Sequence, residues 1–206
     1  MQSEETRKKI IKSATEQFIA NGCRRITMDN VANELHISKR TLYEYFETKE
    51  ELLMACMVML KEDIGNKIRM FKCENDSPIA RLLLIFRYMA ISHSQLATLL
   101  TDIREYYPGI YQKMFPRREA FHTSYLHQKL QEALDCGDLR AQVDIDQAVE
   151  TLMHIIQHYE NDSHNSGMNN YCEAGYTYVR GLLSVDAIQR YDQQESHIKE
   201  LMKINS

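Results

Sequence analysis

The amino-acid sequence predicts an all-α protein. Three prolines and seven glycines are few for 206 residues, so little interrupts a chain rich in helix-forming residues. No alternating run of β-branched residues is long enough to predict a strand. Apolar residues make up 44% of the chain, which is enough to fill a core, so a folded globular protein is expected.

Several classes of protein are disfavoured by composition. The longest apolar run, from Leu52 to Leu60, has nine residues, about half of what a membrane span needs. The N-terminus lacks the apolar core of a signal peptide. The five cysteines are odd in number and contain no CxxC pair, which favours small buried thiols in a reducing cytoplasm over a disulfide framework. They are Cys23, Cys56, Cys73, Cys136 and Cys172.

Bulk charge does not indicate nucleic-acid binding. The chain carries a net charge of -4. Residues 1–50 hold nine Lys/Arg and eight Asp/Glu, so only this first part is slightly basic. An interpretation as a DNA-binding protein must therefore rest on geometry.

The first fifty residues predict three helices. An apolar stripe containing Ile10, Ala14 and Phe18 predicts a helix from about Glu4 to Asn21, which Gly22 ends. Thr27 and Ser38 are helix-start signals for two further helices of about two turns each. Helices this short are unstable alone, so all three are expected to pack together.

The rest of the chain predicts further helices. Thr48 and Glu51 have the spacing of a capping box that opens a long helix through about Met70. Residues 73–77 and 161–167 are predicted loops, and the segment from Tyr107 to Ile110 is expected to interrupt the helices. The later helices are expected near 78–93, 96–106, 117–136 (ended by Gly137), 144–160 (capped by Asp144), 169–184 and 186–204.

The two short helices predict a helix-turn-helix, of which the second is the reading helix. In that helix Leu42, Tyr45 and Phe46 share one face, and Arg40 and Glu44 point away from them. Two interpretations remain open on this pattern alone. The polar face reads DNA, or it is an ordinary solvated surface on which Arg40 and Glu44 form an i, i+4 ion pair.

Residues 6–55 resemble the DNA-binding unit of the TetR family of bacterial regulators. The matching positions are Ala14, Phe18, Gly22, Thr27, Val31, Ala32, Ser38, Thr41, Leu42, Tyr43, Tyr45, Phe46, Lys49, Glu51 and Leu52. Two positions depart from the family pattern: His36 stands where glycine is common, and Arg40 where a small residue is common. Histidine can occupy a left-handed turn at some cost, and Arg40 adds a long base-reading side chain.

The resemblance implies which residues touch DNA and how the chain is divided. The DNA-contacting positions would be Thr27, Ser38, Lys39, Arg40, Thr41, Tyr43, Tyr45 and Lys49. A helix-turn-helix DNA-binding domain would occupy residues 1–50, and a larger helical effector-binding and dimerisation domain residues 51–206. The function implied is a cytoplasmic transcriptional regulator, a repressor that binds a palindromic operator as a dimer and is released by a small molecule.

The resemblance also implies a homodimer whose interface lies on the last two main helices, here about 146–159 and 171–183. Apolar positions on these helices are the candidates for contact with the second copy. They are Val149, Leu152, Met153, Ile156, Tyr176, Val179, Leu182 and Leu183.

Residues 88–125 are rich in aromatic and amphipathic side chains, which suit an apolar ligand with a few polar anchors. The alternative is that the same residues simply fill the core. The candidates for an effector pocket are Tyr88, Met89, His93, Tyr106, Tyr107, Tyr111, Phe115, Phe121, His122 and Tyr125.

His154 and His158 have the i, i+4 spacing of metal-binding histidines, with Glu150 and Glu160 nearby. A helical bundle that binds metal or a partner protein through these histidines is therefore the competing interpretation, although packing or solvent exposure is favoured for both. No phosphate loop, GxSxG sequence or Cys/His arrangement predicts catalysis, so no catalytic residue, metal or cofactor is expected.

Overall fold

In the computed structural model, which describes residues 2–70, 77–115, 119–161 and 167–192, the chain is all-α, as the sequence predicts. The helices are α1 (Gln2–Asn21), α2 (Met28–Glu34), α3 (Lys39–Tyr45), α4 (Lys49–Met70), α5 (Pro78–Tyr106), α6 (Pro108–Met114), α7 (Glu119–Asp135), α8 (Ile145–Asn161) and α9 (Gly167–Leu182). Residues 185–192 are also helical. Within the described ranges, β-type pairing is confined to an isolated bridge between Leu139 and Leu183. No helix among these residues is long and apolar enough to cross a bilayer.

The chain forms two compact units. Unit 1 consists of Met1–Lys67 and Gln95–Arg117, and unit 2 of Ile68–Ser94 and Arg118–Ser206. Helices α1 to α3 lie wholly in unit 1, and the part of α5 from Gln95 onward also belongs to it. The expected division into domains after residue 50 stays a prediction.

The N-terminal helices follow the sequence signals closely. Gly22 has φ +78°, the left-handed conformation that ends a helix, directly after α1. Thr27 and Ser38 are the N-caps of α2 and α3. Burial of the apolar stripe of α1, in which Ile10, Ala14 and Phe18 are almost inaccessible to solvent, holds these short helices together.

Two helices differ from the expectation. The segments expected as separate helices near 78–93 and 96–106 form the single helix α5. The interruption expected between Tyr107 and Ile110 is present but confined to Tyr107, because α6 already begins at Pro108. Proline is tolerated in the first turn because backbone N–H groups there have no acceptor within the helix, so the N–H that proline lacks is not needed. The loops expected at 73–77 and 161–167 lie almost entirely outside the described residues, as does most of the helix expected beyond residue 186.

The core of unit 2 is built from α5, α7, α8 and α9. Leu83, Leu130, Leu152 and Val179, one from each of these helices, are all buried. Asp144 accepts a hydrogen bond from the backbone N–H of Gln147 at 3.0 Å and so caps α8, as expected. After α7, Gly137 takes φ +79°, which confirms its predicted role in ending that helix.

One carboxylate is buried in unit 2 directly after this turn. The Asp138 side chain is 6% exposed, and its Oδ1 accepts a hydrogen bond from Arg190 Nη2 at 2.5 Å. Its other oxygen accepts from the hydroxyl of Ser77, which also caps α5 by accepting from the N–H of Ala80. Asp138 therefore joins three segments of unit 2 through charge-assisted hydrogen bonds.

Candidate nucleic-acid interface

Helix α2 begins with a reciprocal capping box. Thr27 Oγ1 accepts from the N–H of Asn30 at 3.2 Å, and Asn30 Oδ1 accepts from the N–H of Thr27 at 2.8 Å. The sequence pattern missed this box because the usual residue three positions after the cap is Glu or Gln. These two hydrogen bonds fix the start of a helix of only seven residues.

The turn between α2 and α3 depends on a left-handed histidine. His36 has φ +53°, which lies in the left-handed region. This is the conformation expected at a position where the family commonly has glycine. The N–H of His36 donates to Asn33 O at 3.1 Å, and that of Ile37 donates to Ala32 O at 3.0 Å. This turn sets the direction in which α3 leaves α2.

Helix α3 has one buried face and one polar face. Leu42 within it and its C-cap Phe46 are fully buried, whereas the side chain of Arg40 is 91% exposed. Ser38 Oγ accepts from the N–H of Thr41 at 3.0 Å and lies 2.8 Å from Thr41 Oγ1. The buried face holds α3 in unit 1, and the polar face is free to meet another molecule.

Most of the predicted contact residues are exposed to solvent. Thr27, Ser38, Lys39, Arg40 and Tyr43 are exposed, and Thr41 and Tyr45 are partly buried. Nothing in the structure tests their contact with DNA, so these assignments stay predictions.

Two basic side chains of α3 are paired with carboxylates. Lys39 Nζ lies 2.8 Å from Asp29 Oδ1, and the hydrogen bond to Asp29 raises the pKa of Lys39 above its ordinary value. Arg40 Nε lies 3.2 Å from Glu44 Oε1. The i, i+4 spacing signalled the second pair. The pair of Lys39 and Asp29 joins α2 to α3 across ten residues, a spacing that no local sequence pattern predicts.

Lys49, the first residue of α4, is partly buried. Its ammonium lies 6.0 Å from the centre of the Tyr107 ring, and burial lowers the pKa of Lys49. The capping box expected here is also altered. Thr48 Oγ1 accepts from the N–H of Glu51 at 3.1 Å as predicted, but the Glu51 carboxylate accepts from the N–H of Glu47, one residue before the cap, at 2.9 Å.

The corner between α1 and α2 is anchored to the end of α5, within unit 1. The N–H of Arg24 donates to Asp102 Oδ2 at 2.8 Å, and Arg24 Nη1 donates to the Tyr106 hydroxyl at 2.9 Å. A Cβ on Gly22 would lie 2.5 Å from the same Asp102 oxygen, so only glycine fits here without displacement. Sequence reasoning missed this anchor because its partners are far apart in the chain.

The residues of the predicted effector pocket are distributed over both units. Tyr88, which is buried, and Tyr125 belong to unit 2, whereas Tyr106, Tyr107, Tyr111 and Phe115 belong to unit 1. The side chains of Met89, His93, Phe121 and His122 lie outside the described part of the structure. Tyr106 and Tyr107 line a cavity of about 1120 Å³ in unit 1, together with residues of α1, α4 and α6.

The residues of the predicted dimer interface lie largely in the core of their own chain. Val149, Leu152, Met153, Val179 and Leu183 are buried in unit 2, and Tyr176 and Leu182 are partly buried against the same core. The side chain of Ile156 lies outside the described residues. Packing within one chain thus accounts for this apolar stripe without a second copy.

The histidine and cysteine predictions have mixed outcomes. His154 is exposed, the His158 side chain lies outside the described residues, and the described residues contain no group of three candidate metal ligands. Cys23 and Cys56 are buried as expected, and burial raises the pKa of Cys23 to about 12. Cys136 is exposed, so the expectation that each cysteine is buried was wrong for it; it follows the last turn of α7 and faces solvent.

Comparison with known proteins agrees with this geometry. Residues 10–56 match the family described as bacterial regulatory proteins, tetR family. An HTH-type transcriptional regulator, SrpR of Pseudomonas putida, is 24% identical over 170 residues, which are 75% of this chain and 73% of that protein.

Solved structures share the fold along nearly the whole chain. A TetR transcription regulator from Haloarcula marismortui has a TM-score of 0.64 at 19% identity, covering 88% of this chain and all of that one. A gamma-butyrolactone receptor described as ArpA-like has a TM-score of 0.62 at 20% identity, covering 97% of this chain and 99% of that one. The helix-turn-helix at residues 10–56 is therefore similar to that of the tetR family of bacterial regulatory proteins, and the whole chain shares the fold of solved regulators of this kind.

Proposed function

We propose that this protein is a homodimeric repressor that binds a palindromic operator and is released from it by a small molecule. The observation that carries the proposal is the exposed polar face of α3, held outward by a fully buried Leu42 on the opposite face. In this arrangement α3 enters the major groove, and the corresponding helix of the second copy enters the next groove, about 34–36 Å away.

The side chains divide into two roles. Arg40 is long and exposed enough to reach guanine O6 and N7 in the major groove. Thr27, Ser38, Lys39, Thr41, Tyr43, Tyr45 and Lys49 supply hydroxyls and ammonium groups for phosphates and nearby base edges. Phosphate contacts set position and general affinity, and base contacts set sequence preference.

The direct test is selection of bound duplexes from a random-sequence DNA pool with the purified full chain. The proposal expects an enriched inverted repeat with half-sites about one helical turn apart. No enrichment at low salt, from protein that circular dichroism shows to be folded, would overturn it.

Two substitutions separate the two roles. Arg40→Ala is expected to relax the preference at one position of each half-site, with about tenfold less discrimination there. Lys49→Ala is expected to weaken binding to selected and random DNA alike and to lower the salt slope by about one per copy. Fluorescence anisotropy over a range of salt concentrations measures both effects.

The two variants serve as controls for each other because each removes one positive charge. Equal losses on selected and random DNA for both would contradict the division of roles. The environment of Lys49 adds a condition: its ammonium must leave the Tyr107 ring to reach a phosphate.

TetR-family regulators act as dimers, and α9 offers a surface for this. Ala174, Thr177 and Gly181 are exposed on α9, and Val185 beyond its end is 72% exposed. The spacing of three and four residues places Ala174, Thr177 and Gly181 on one face of α9, where small side chains allow close approach of a second helix. We therefore propose that this face of α9 contributes to the contact between copies, and the interface residues named from the sequence stay a prediction.

Gly181→Arg tests this assignment. A Cβ at Gly181 meets no atom within 4 Å, so the protomer itself has room for a side chain. Light scattering is expected to give about twice the 24.2 kDa chain mass for the original protein and the single mass for the variant. Val185→Ser, a milder change just beyond the end of α9, is expected to weaken the dimer; a dimer unaffected by both changes would place the interface elsewhere.

Release by a small molecule requires an effector that binds better to a dimer whose reading helices are wrongly spaced. Two observations support an effector: the concentration of aromatic residues between positions 88 and 125, and the gamma-butyrolactone receptor among the structural relatives. The ten pocket residues named from the sequence stay a prediction, since those whose side chains are described belong to two different units.

A further inference from the structure

The polar face of α3 carries an acid as well as a base. Arg40 and Glu44 are one helical turn apart, and their side chains are 91% and 59% exposed. Both point away from Leu42, which is buried in unit 1. Arg40 and Glu44 are therefore presented to solvent side by side on the same face.

A carboxylate is selective in a major groove because it only accepts hydrogen bonds. Donors on base edges there are the amino groups of cytosine N4 and adenine N6, whereas guanine O6 and N7 and thymine O4 are acceptors. Ionised Glu44 is attracted to the first two and repelled by the others. It is also repelled by phosphates, so it contributes nothing to sequence-independent affinity.

The pairing with Arg40 strengthens this selectivity. At 3.2 Å from Arg40 Nε, the Glu44 carboxylate offsets the charge that would otherwise bind any phosphate. The pair separates at little cost because exposed ion pairs contribute little to stability. At a matching site Arg40 turns to a guanine while Glu44 accepts from an amino group beside it.

We propose that Glu44 is a specificity-determining residue that requires cytosine or adenine at the base edge it faces and weakens binding to all other DNA. The proposal rests on the function proposed above and adds to it a residue absent from the predicted contact set. Asp29, which pairs with Lys39, lies on α2 and not on the polar face of α3 that carries Arg40 and Glu44.

The experiment compares the original chain with Glu44→Gln in selection from random-sequence duplexes, followed by affinity measurements. Glutamine keeps the length of the side chain but both donates and accepts, so it tolerates guanine and thymine edges. One position of each half-site, restricted to cytosine or adenine in the original protein, is expected to admit all four bases in the variant. The ratio of affinities for the selected site and for a site changed at that position should fall about tenfold.

Glu16→Gln is the matched control because it removes the same charge from an exposed site on α1. If Glu44→Gln selects the same bases as the original protein, or if Glu16→Gln relaxes selection equally, the inference is overturned. Failure of the original protein to enrich any sequence would instead overturn the proposed function itself. Thermal unfolding of both variants shows that each is folded during the comparison.

Discussion

Replacement of Asp138 by alanine is expected to lower the free energy of unfolding by about 3 kcal/mol. The change removes a buried carboxylate that accepts from Arg190 and Ser77, and so releases three segments of unit 2 from one another. Thermal unfolding followed by circular dichroism measures the loss. For a chain of this length the midpoint should fall by about 6–12 °C.

Asp192→Ala is the matched control. Asp192 also binds an arginine, with distances of 2.6 and 3.0 Å to Arg180, but its side chain is 48% exposed. Water can replace its interactions, so a loss of about 1 kcal/mol or less is expected. Equal destabilisation by the two substitutions would show that burial does not determine the contribution of Asp138.

Leu42→Ala is expected to destabilise unit 1 by about 3 kcal/mol and thereby to lose DNA binding. Leu42 is fully buried on a helix of seven residues, which is too short to be stable without its packing. Urea unfolding followed by circular dichroism, and DNA binding measured across the same urea series, should both show lower midpoints.

Tyr43→Ala distinguishes packing from contact on the same helix. Tyr43 is exposed, so its truncation should change the free energy of unfolding by about 0.5 kcal/mol or less while weakening DNA binding. If Leu42→Ala left the unfolding midpoint unchanged, the buried face would not be what holds the reading helix in place.

The N-terminal helices could be predicted from the sequence because their signals are local. Thr27, Ser38 and Gly22 act through the backbone within a few residues of themselves, and the structure places all three at the helix ends they predicted. The left-handed His36 was also predicted, in this case through comparison with the family pattern.

The course of α5 could not be predicted in the same way. Ser92, His93 and Ser94 weaken helix propensity, so the sequence predicts the end of a helix there. Propensity is a weak prior that packing overrides. Leu83 before this stretch and Leu99 after it are both fully buried, so the helix is supported on either side and continues.

Only part of the candidate interface could be predicted from the sequence. The polar face of α3 follows from the 100° helical period and from the family resemblance. The long-range contacts around it could not be predicted. Asp29 pairs with Lys39 across a turn, and Asp102 binds the N–H of Arg24 only when the chain has folded. Such contacts depend on tertiary structure, and a single sequence carries no signal of them.

The anchor between Arg24 and Asp102 has a consequence for biosynthesis. The hydrogen bond closes 78 residues of chain, and unit 1 is completed only by Gln95–Arg117. A nascent chain that has released α1 to α3 from the ribosome therefore still lacks the residues that fix their corner. Since such distant contacts form late, the ability to bind an operator is expected to arise only when more than half of the polypeptide has been made.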